Sequence, residues 1–318
     1  YGQPYIWCYL GNFGGNTMMV GDLNDTDMKI NRVLAEGGDN VYGLGVTLEA
    51  FDVNPLMYEF VFDKAWNQTQ STDEWIEMWA KCRGGQKDKN ILKAWKDLHE
   101  KIYMTPALCG QAVLINARSQ FEGVQGWNTY PDYKYDNKVN QDYDFDVVNV
   151  GRQVLGNLFS DYRAQFTACY KRKDLSGAEQ WAKRMDDLIL DVDRLLSCSP
   201  LFSMGKWIKD AKDCAASEDE KNYYEENARG IVTIWGQKDT QLNDYANRGW
   251  AGLTKSFYRE RWKLFTDGVL AAMKANRSFD EKKFHKDVTE FEYQWTLQHE
   301  DFPISSGESA VKVANELW

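Results

Sequence analysis

Glu49 closes the run Gly43-Leu-Gly-Val-Thr-Leu-Glu49, and that placement is the first hint of chemistry in the chain. A carboxylate delivered at the end of an apolar strand is held more rigidly than one on a loop, and active sites of α/β proteins form at the carboxyl ends of parallel strands. With 48 acidic residues in the chain, a glutamate in that position also has an ordinary reading as a solvated loop residue. Acid–base or nucleophilic work needs a second group, and the neighbouring sequence supplies no obvious one. Thirteen tryptophans suggest stacking on the C–H faces of sugars. Most of them fall in core-like stripes, but Trp7, read at a strand's end, and Trp235, read before a polar loop, are better placed to meet a ligand.

Other chemistry is thinner. His99, His285 and His299 lack metal-ligand spacing, and Cys8, Cys82, Cys109, Cys169, Cys198 and Cys214 include no CxxC pair. Neither a metal centre nor a thioredoxin-type site is expected, and no cofactor is called for. Gly14-Gly15 lacks the flanking residues of a phosphate cradle and reads as a tight turn. A net charge of −10 opposes binding to phosphate backbones, so no nucleic-acid partner is expected and a neutral ligand fits better. No apolar run reaches the roughly 18 residues of a membrane span.

The elements that must position these residues change character along the chain. Up to about residue 70, the strand-like "PYIWCYL", a loop "GNFGGNTMMVGDLNDT", a short helix "INRVLAEG", a buried strand "VYGLGVTL" and a helix "PLMYEFVFDKAW" follow the βα rhythm of a parallel sheet covered on both faces. Two strands alone cannot complete such a sheet. From Ser71 the pattern is helical. Ser71-Thr-Asp-Glu74 has the form of a capping box. Helical stripes then run through Val154, Leu155, Leu158, Phe159, Tyr162, Phe166 and Cys169, through Met185 to Leu196 with Pro200 as the stop, through Trp262 to Met273, and through Val288, Phe291 and Trp295. These stripes are read as core. The stretch from Cys109 to Asp146 reads as a long excursion with at most a turn of helix.

Four segments together, "YGQPYIWCYLGNFGGN", "TLEAFDVNPLMYEFVFDKAW", "IWGQKDTQLNDYANRGWAGL" and "FYRERWKLF", resemble the alpha-N-acetylglucosaminidases of glycoside hydrolase family 89. The resemblance is collinear over nearly the whole chain, although the middle helices match mainly in pattern. It implies a mainly α chain: the last βα units of a (β/α)8 TIM barrel over residues 1–70, then an all-α C-terminal domain over 71–318 that closes the active-site cleft. It also implies a retaining exo-acting hydrolase of terminal alpha-linked GlcNAc. Glu49 falls on the family's nucleophile, and the acid/base glutamate belongs to an upstream barrel segment, the expected partner of this piece along with the N-acetylglucosamine-containing glycan.

Trp7, Cys8 and Asn54 fall on the strand-end side of the sugar site, and Trp235, Leu242 and Tyr245 on the helical-domain loop. Gly11 departs from the family's pattern, where relatives carry histidine. Asn-x-Ser/Thr triplets at Asn24, Asn67 and Asn276 are compatible with a secreted, periplasmic or lysosomal protein. The opening residues carry no initiator methionine, so the chain is expected to be a piece of something longer. Two other readings stand beside this one. The first is a non-catalytic helical carbohydrate-binding or interaction module. The second is a helical hydrolase or lyase using two acids such as Asp144 and Asp244.

Overall fold

The computed structural model describes residues 2–16, 18–50, 54–84, 89–105, 113–123 and 144–317. They divide into two compact units, one within Tyr1–Cys109 and the other in Gly110–Asp132 and Asp144–Trp318.

In the first unit, β1 (Tyr5–Leu10) is followed by the two-residue β2 (Gly21–Asp22), α1 (Leu23–Glu36), β3 (Val41–Thr47), α2 (Pro55–Lys64), α3 (Thr72–Gly84), α4 (Lys89–Lys101) and β4 (Met104–Thr105). β1 and β3 pair in parallel with Trp7 opposite Leu44 and Tyr9 opposite Val46, while β2 and β4 pair antiparallel. The expected loop before the first helix is shorter than its polar sequence suggests. Asp22 accepts a hydrogen bond from Asp25 N at 2.8 Å, so a 14-residue helix starts at Leu23 and "INRVLAEG" is only its second half. The apolar strands are also less buried than expected. Ile6 is 60% and Tyr42 75% exposed, because each strand has a single neighbour among the described residues.

The Ser71 capping box forms as read: Ser71 N donates to Glu74 Oε2 at 2.9 Å and Glu74 N to Ser71 Oγ at 3.3 Å. It starts α3, whose aromatic face makes the core of this unit. Phe60 meets Trp75 edge-on at 5.1 Å, Trp75 stacks on Trp79 at 5.3 Å, and Trp79 meets Trp95 edge-on at 5.6 Å. Lys64, at the end of α2, is buried, and Asp27 Oδ1 on α1 faces its Nζ at 2.5 Å. That pair ties the crossover helix to α2.

The second unit is helical. α5 (Asp144–Arg172) and α6 (Leu175–Leu196) form a hairpin, followed by α7 (Met204–Asp213), α8 (Glu218–Ile231), α9 (Arg259–Lys274), α10 (Glu281–Thr296) and α11 (Ala310–Leu317). The hairpin turns through Lys173 at φ 59°, and Asp174 Oδ1 caps α6 by accepting from Gly177 N at 2.9 Å. Pro200 follows the end of α6, as expected. The stripes meet in one core that includes Phe159, Phe166, Ile189, Leu196, Trp262, Phe265 and Trp295. Leu158 is the exception: it is 36% exposed and lies beside the stripe. A short turn, Leu114–Asn116, packs against this core, and most of the Cys109–Asp146 excursion lies outside the described residues. Among the described residues no helix is long and apolar enough to cross a membrane.

Truncating the middle of the tryptophan ladder should cost far more than removing an exposed ring. We expect Trp79→Ala to destabilise the first unit by about 3–5 kcal/mol, and Trp66→Ala, whose ring is 87% exposed, to change stability by less than about 0.5 kcal/mol. Urea titration followed by far-ultraviolet circular dichroism measures both.

Candidate functional site

In the first unit, β3 ends at Thr47 and Glu49 follows two residues later with its side chain exposed. It is accessible but anchored. The turn after β1 brings Gly14 and Gly15 to φ 64° and 72°, a conformation that glycine adopts without steric penalty. The Gly14 amide donates to Glu49 Oε2 in a short hydrogen bond. Asn12 completes the attachment from the same turn: its Oδ1 accepts from Glu49 N at 3.2 Å and its Nδ2 donates to the Tyr58 hydroxyl on α2. A carboxylate held at its oxygen and at its own backbone keeps one orientation while facing solvent.

Beneath this turn lies a pair of phenols. Tyr9 and Tyr58 pack edge to face at 6.3 Å. Burial raises the Tyr58 pKa against the bond from Asn12. It raises that of Tyr9 further, with Tyr58 and Asp22 adding to the effect, so both stay neutral. Gly11 is needed for their approach, because a Cβ there would lie 2.5 Å from Tyr9 Cε1 and 3.0 Å from Tyr58 Cε1. That is a physical reason for the departure at this position: a larger side chain and the Tyr9 ring cannot share the space.

The other residues singled out around Glu49 are placed less simply. Trp7 and Cys8 lie in the middle of β1 rather than at its end, the strand running on to Leu10. Trp7 is half-buried and Cys8 exposed. Asn54 is 3% exposed, and its Nδ2 donates to Val20 O at 2.6 Å, which makes it a brace between the loop before β2 and the start of α2.

In the second unit, the chain from Val232 to Arg248 forms a loop that turns sharply at Trp235, Asp239 and Asp244, all with φ between 54° and 63°. Such angles are costly for residues with a side chain and persist only where the surroundings enforce them. Trp235 N donates to Gly230 O and Asp244 N to Thr233 O, both at 2.7 Å. The result is a small aromatic platform: the Trp235 ring meets Tyr245 edge-on at 5.1 Å, with Trp235 39% and Leu242 38% exposed and Tyr245 half-buried.

What enforces the loop is a buried set of charges. Both oxygens of Asp244 accept from Arg261 Nη1, at 2.9 and 3.0 Å, and the same nitrogen reaches Glu292 Oε1 at 3.1 Å. Arg261 Nη2 donates to Asn116 O. Arg118 grips Glu292 through Nε at 3.1 Å and Nη2 at 2.5 Å, and reaches Asp239 Oδ1 at 3.2 Å. Asn243 Nδ2 donates to Glu292 Oε2 at 3.3 Å. Two guanidiniums and two carboxylates therefore balance in the interior, every one of them under a tenth exposed.

Burial opposes the charge on Arg261, but Asp244 and Glu292 outweigh it and raise its pKa. Burial, with Glu292 adding, raises the Asp244 carboxyl against the pull of Arg261. Asp244 is thus fully engaged as a loop anchor, and a pairing with Asp144 as two free acids has no support. None of Asn12, Tyr58, Arg118, Arg261 and Glu292 was singled out in advance for a role, and Gly14 was read only as part of a tight turn, which it is. For Arg261 a signal existed in the "RERW" segment, read there only as part of the resemblance.

Comparison with known proteins divides the chain near the start of α3, earlier than its internal contacts do at Cys109 and Gly110. A family model described as the alpha-N-acetylglucosaminidase (NAGLU) C-terminal domain matches residues 75–318, and one described as the NAGLU TIM-barrel domain matches residues 1–68. The chain belongs to the alpha-N-acetylglucosaminidase family. Human alpha-N-acetylglucosaminidase is 24% identical over 100% of this chain and 45% of its own length. The structure of CpGH89 from Clostridium perfringens in complex with its substrate GlcNAc-alpha-1,4-galactose superposes with a TM-score of 0.85 at 27% identity, over 99% of this chain and 39% of that one. A family 89 glycoside hydrolase from the same organism, in complex with 2-acetamido-1,2-dideoxynojirmycin, gives 0.87 at 28% identity over the same shares. The chain therefore spans less than half the length of these relatives. The expected fold, last barrel units followed by a helical domain, is the fold of this family.

Two outcomes check the loop anchoring. Arg261→Met leaves Asp244 and Glu292 without their shared partner, and should cost about 3–5 kcal/mol and speed amide exchange at Asp244 many-fold. Asp239 gives a pH signature: burial alone would raise its pKa, but bonds from His285 and Arg118 outweigh that and hold it below the ordinary carboxylate range. Its contribution is thus fully present above about pH 4, the unfolded value, and is lost as pH falls through the lower folded value. Protection of the Trp235–Tyr245 loop amides, taken relative to their intrinsic exchange rates at each pH, should fall off only in acid, as pH drops below about 4.

Proposed function

We propose that this chain is the C-terminal part of a retaining exo-alpha-N-acetylglucosaminidase that removes terminal alpha-linked GlcNAc from glycans, with Glu49 as the nucleophile. The observation that carries the proposal is the double attachment of an exposed carboxylate, through the Gly14 amide and Asn12, within the segment that matches the family's barrel model. In an alpha-linked N-acetylglucosaminide the 2-acetamido group lies on the same face as the departing oxygen, so it cannot attack the anomeric carbon from behind. The protein has to supply the nucleophile.

In this reading a Glu49 oxygen attacks the anomeric carbon as the glycosidic C–O bond breaks, giving a glycosyl ester on Glu49. A second carboxyl, about 5–5.5 Å away in retaining enzymes, protonates the departing oxygen. It then takes a proton from the water that hydrolyses the ester, so two inversions restore the starting configuration. We assign that second group to a barrel segment of the same protein that precedes this chain. The chain's 45% share of its human relative's length leaves room for such a segment. Holding the attacking oxygen in a single orientation contributes by keeping the reacting atoms near attack distance.

We further assign Trp7, Cys8 and Asn54 to the sugar's surroundings, and the Trp235, Leu242 and Tyr245 platform to the pocket wall. We set the boundary between the barrel part and the helical domain at residues 70 and 71. The family models meet between residues 68 and 75, and the Ser71 cap starts α3 there. A secreted, periplasmic or lysosomal location suits a hydrolase of glycans, and the exposed Asn24, Asn67 and Asn276 are compatible with it.

The test uses the chain joined to the barrel segment that precedes it. With an aryl alpha-N-acetylglucosaminide, Glu49→Gln should lower kcat by at least about a thousandfold while the protein stays folded. Unchanged turnover would remove Glu49 from the mechanism.

A further inference from the structure

A cleft lies in the helical unit, and its lining includes none of Trp235, Leu242 and Tyr245. It has a volume of about 670 Å³, within the usual range for small-molecule sites. One wall is aromatic: Phe121 stacks on Tyr170 at 4.4 Å, while Phe279 and Phe284, half-buried and 5.7 Å apart, cover Phe265. Ser119 also belongs to the lining; it is 3% exposed and its Oγ has no hydrogen-bond partner among the described residues. A buried hydroxyl without a partner costs free energy, and a ligand hydroxyl in the cleft would satisfy it.

The charges around the cleft indicate what kind of ligand it takes. Arg118 is neutralised by Glu292 and Asp239, Lys171 pairs with Glu122, and His285 meets Asp239 at 3.0 Å. That leaves Lys282 and Glu281 on the lining, both exposed, one of each sign and both without an ion pair among the described residues. An anionic or cationic ligand would find no net counter-charge. A ligand with an apolar face and several hydroxyls finds rings for the one and a donor, an acceptor and the Ser119 hydroxyl for the others.

We propose that this cleft, between Phe121, Ser119 and the Phe279–Phe284 pair, is an accessory binding site for a neutral sugar unit of a glycan. The proposal goes beyond the catalytic reading and does not depend on it. Because Arg118 lines the cleft and also holds Asp239 and Glu292, an occupant would contact one end of the charge set that anchors the Trp235 loop.

The experiment is a nuclear magnetic resonance titration of the full chain with methyl galactoside and methyl N-acetylglucosaminide. The expected result is saturable shifts at Ser119, Phe121, Phe279 and Phe284 with at least one of the two sugars. They should persist in Trp235→Ala and be weakened at least tenfold in Phe284→Ala. Since Phe284 also packs on Phe265, Ser119→Ala and Lys282→Gln serve as mild variants that remove one polar group each, and each should weaken binding several-fold. The proposal is overturned if neither sugar gives saturable shifts at these residues, if the shifts appear only around Trp235 and Tyr245, or if the mild variants bind as well as the unaltered chain. Loss of catalysis on substituting Glu49 bears on none of these outcomes, so the two readings fail separately.

Discussion

A carboxylate that attacks a sugar must be open to solvent and yet fixed in direction, and these demands conflict, because fixing a side chain usually means burying it. In the proposed role of Glu49, the Gly14 amide and Asn12 resolve the conflict. Their hydrogen bonds act on one oxygen and on the backbone, so the orientation is set from behind while the side chain stays exposed. Two further features depend on this. The turn must run through Gly14 and Gly15 at positive φ to aim the amide, and Asn12 must itself be held, which Tyr58 does from α2.

The helical unit meets the same problem with different means. The Trp235, Leu242 and Tyr245 platform is exposed, and its backbone is strained at three positions. Its anchorage is ionic and buried: Arg261 holds Asp244, Glu292 joins Arg261 to Arg118, and Arg118 reaches Asp239. Buried ion sets of this kind add little net stability compared with apolar packing, but removing one member is costly. That asymmetry suits a loop needing one conformation rather than maximal stability.

How much of this could be read from the sequence depended on the range of the interaction. Local signals were reliable: the Ser71 and Glu74 cap, the Pro200 stop and the apolar stripes of α5, α6, α9 and α10 all reappear. Where a local signal competed with a polar composition, as at the start of α1, Asp22 acted as a cap inside what looked like a loop. The inward side of a stripe was also clearer than its edge, hence the exposure of Leu158. The loop anchors could not be read in this way. Arg118 and Glu292 are 174 residues apart, and no spacing rule connects them. The bond from Asn54 Nδ2 to Val20 O, 34 residues away, is another contact that no local pattern announces. The place of Glu49 just after a strand was legible from the apolar run that forms β3, and its proposed role came from the family resemblance.

The most direct test of the account is to trap the intermediate. The chain, joined to its preceding barrel segment, is treated with a fluorinated alpha-N-acetylglucosaminyl donor whose glycosyl-enzyme hydrolyses slowly, then digested and analysed by mass spectrometry. The account predicts one sugar attached to the peptide that carries Glu49, and to that residue within it. Attachment to another carboxylate, or full turnover of the donor through an inverted product with no labelled peptide, would contradict it.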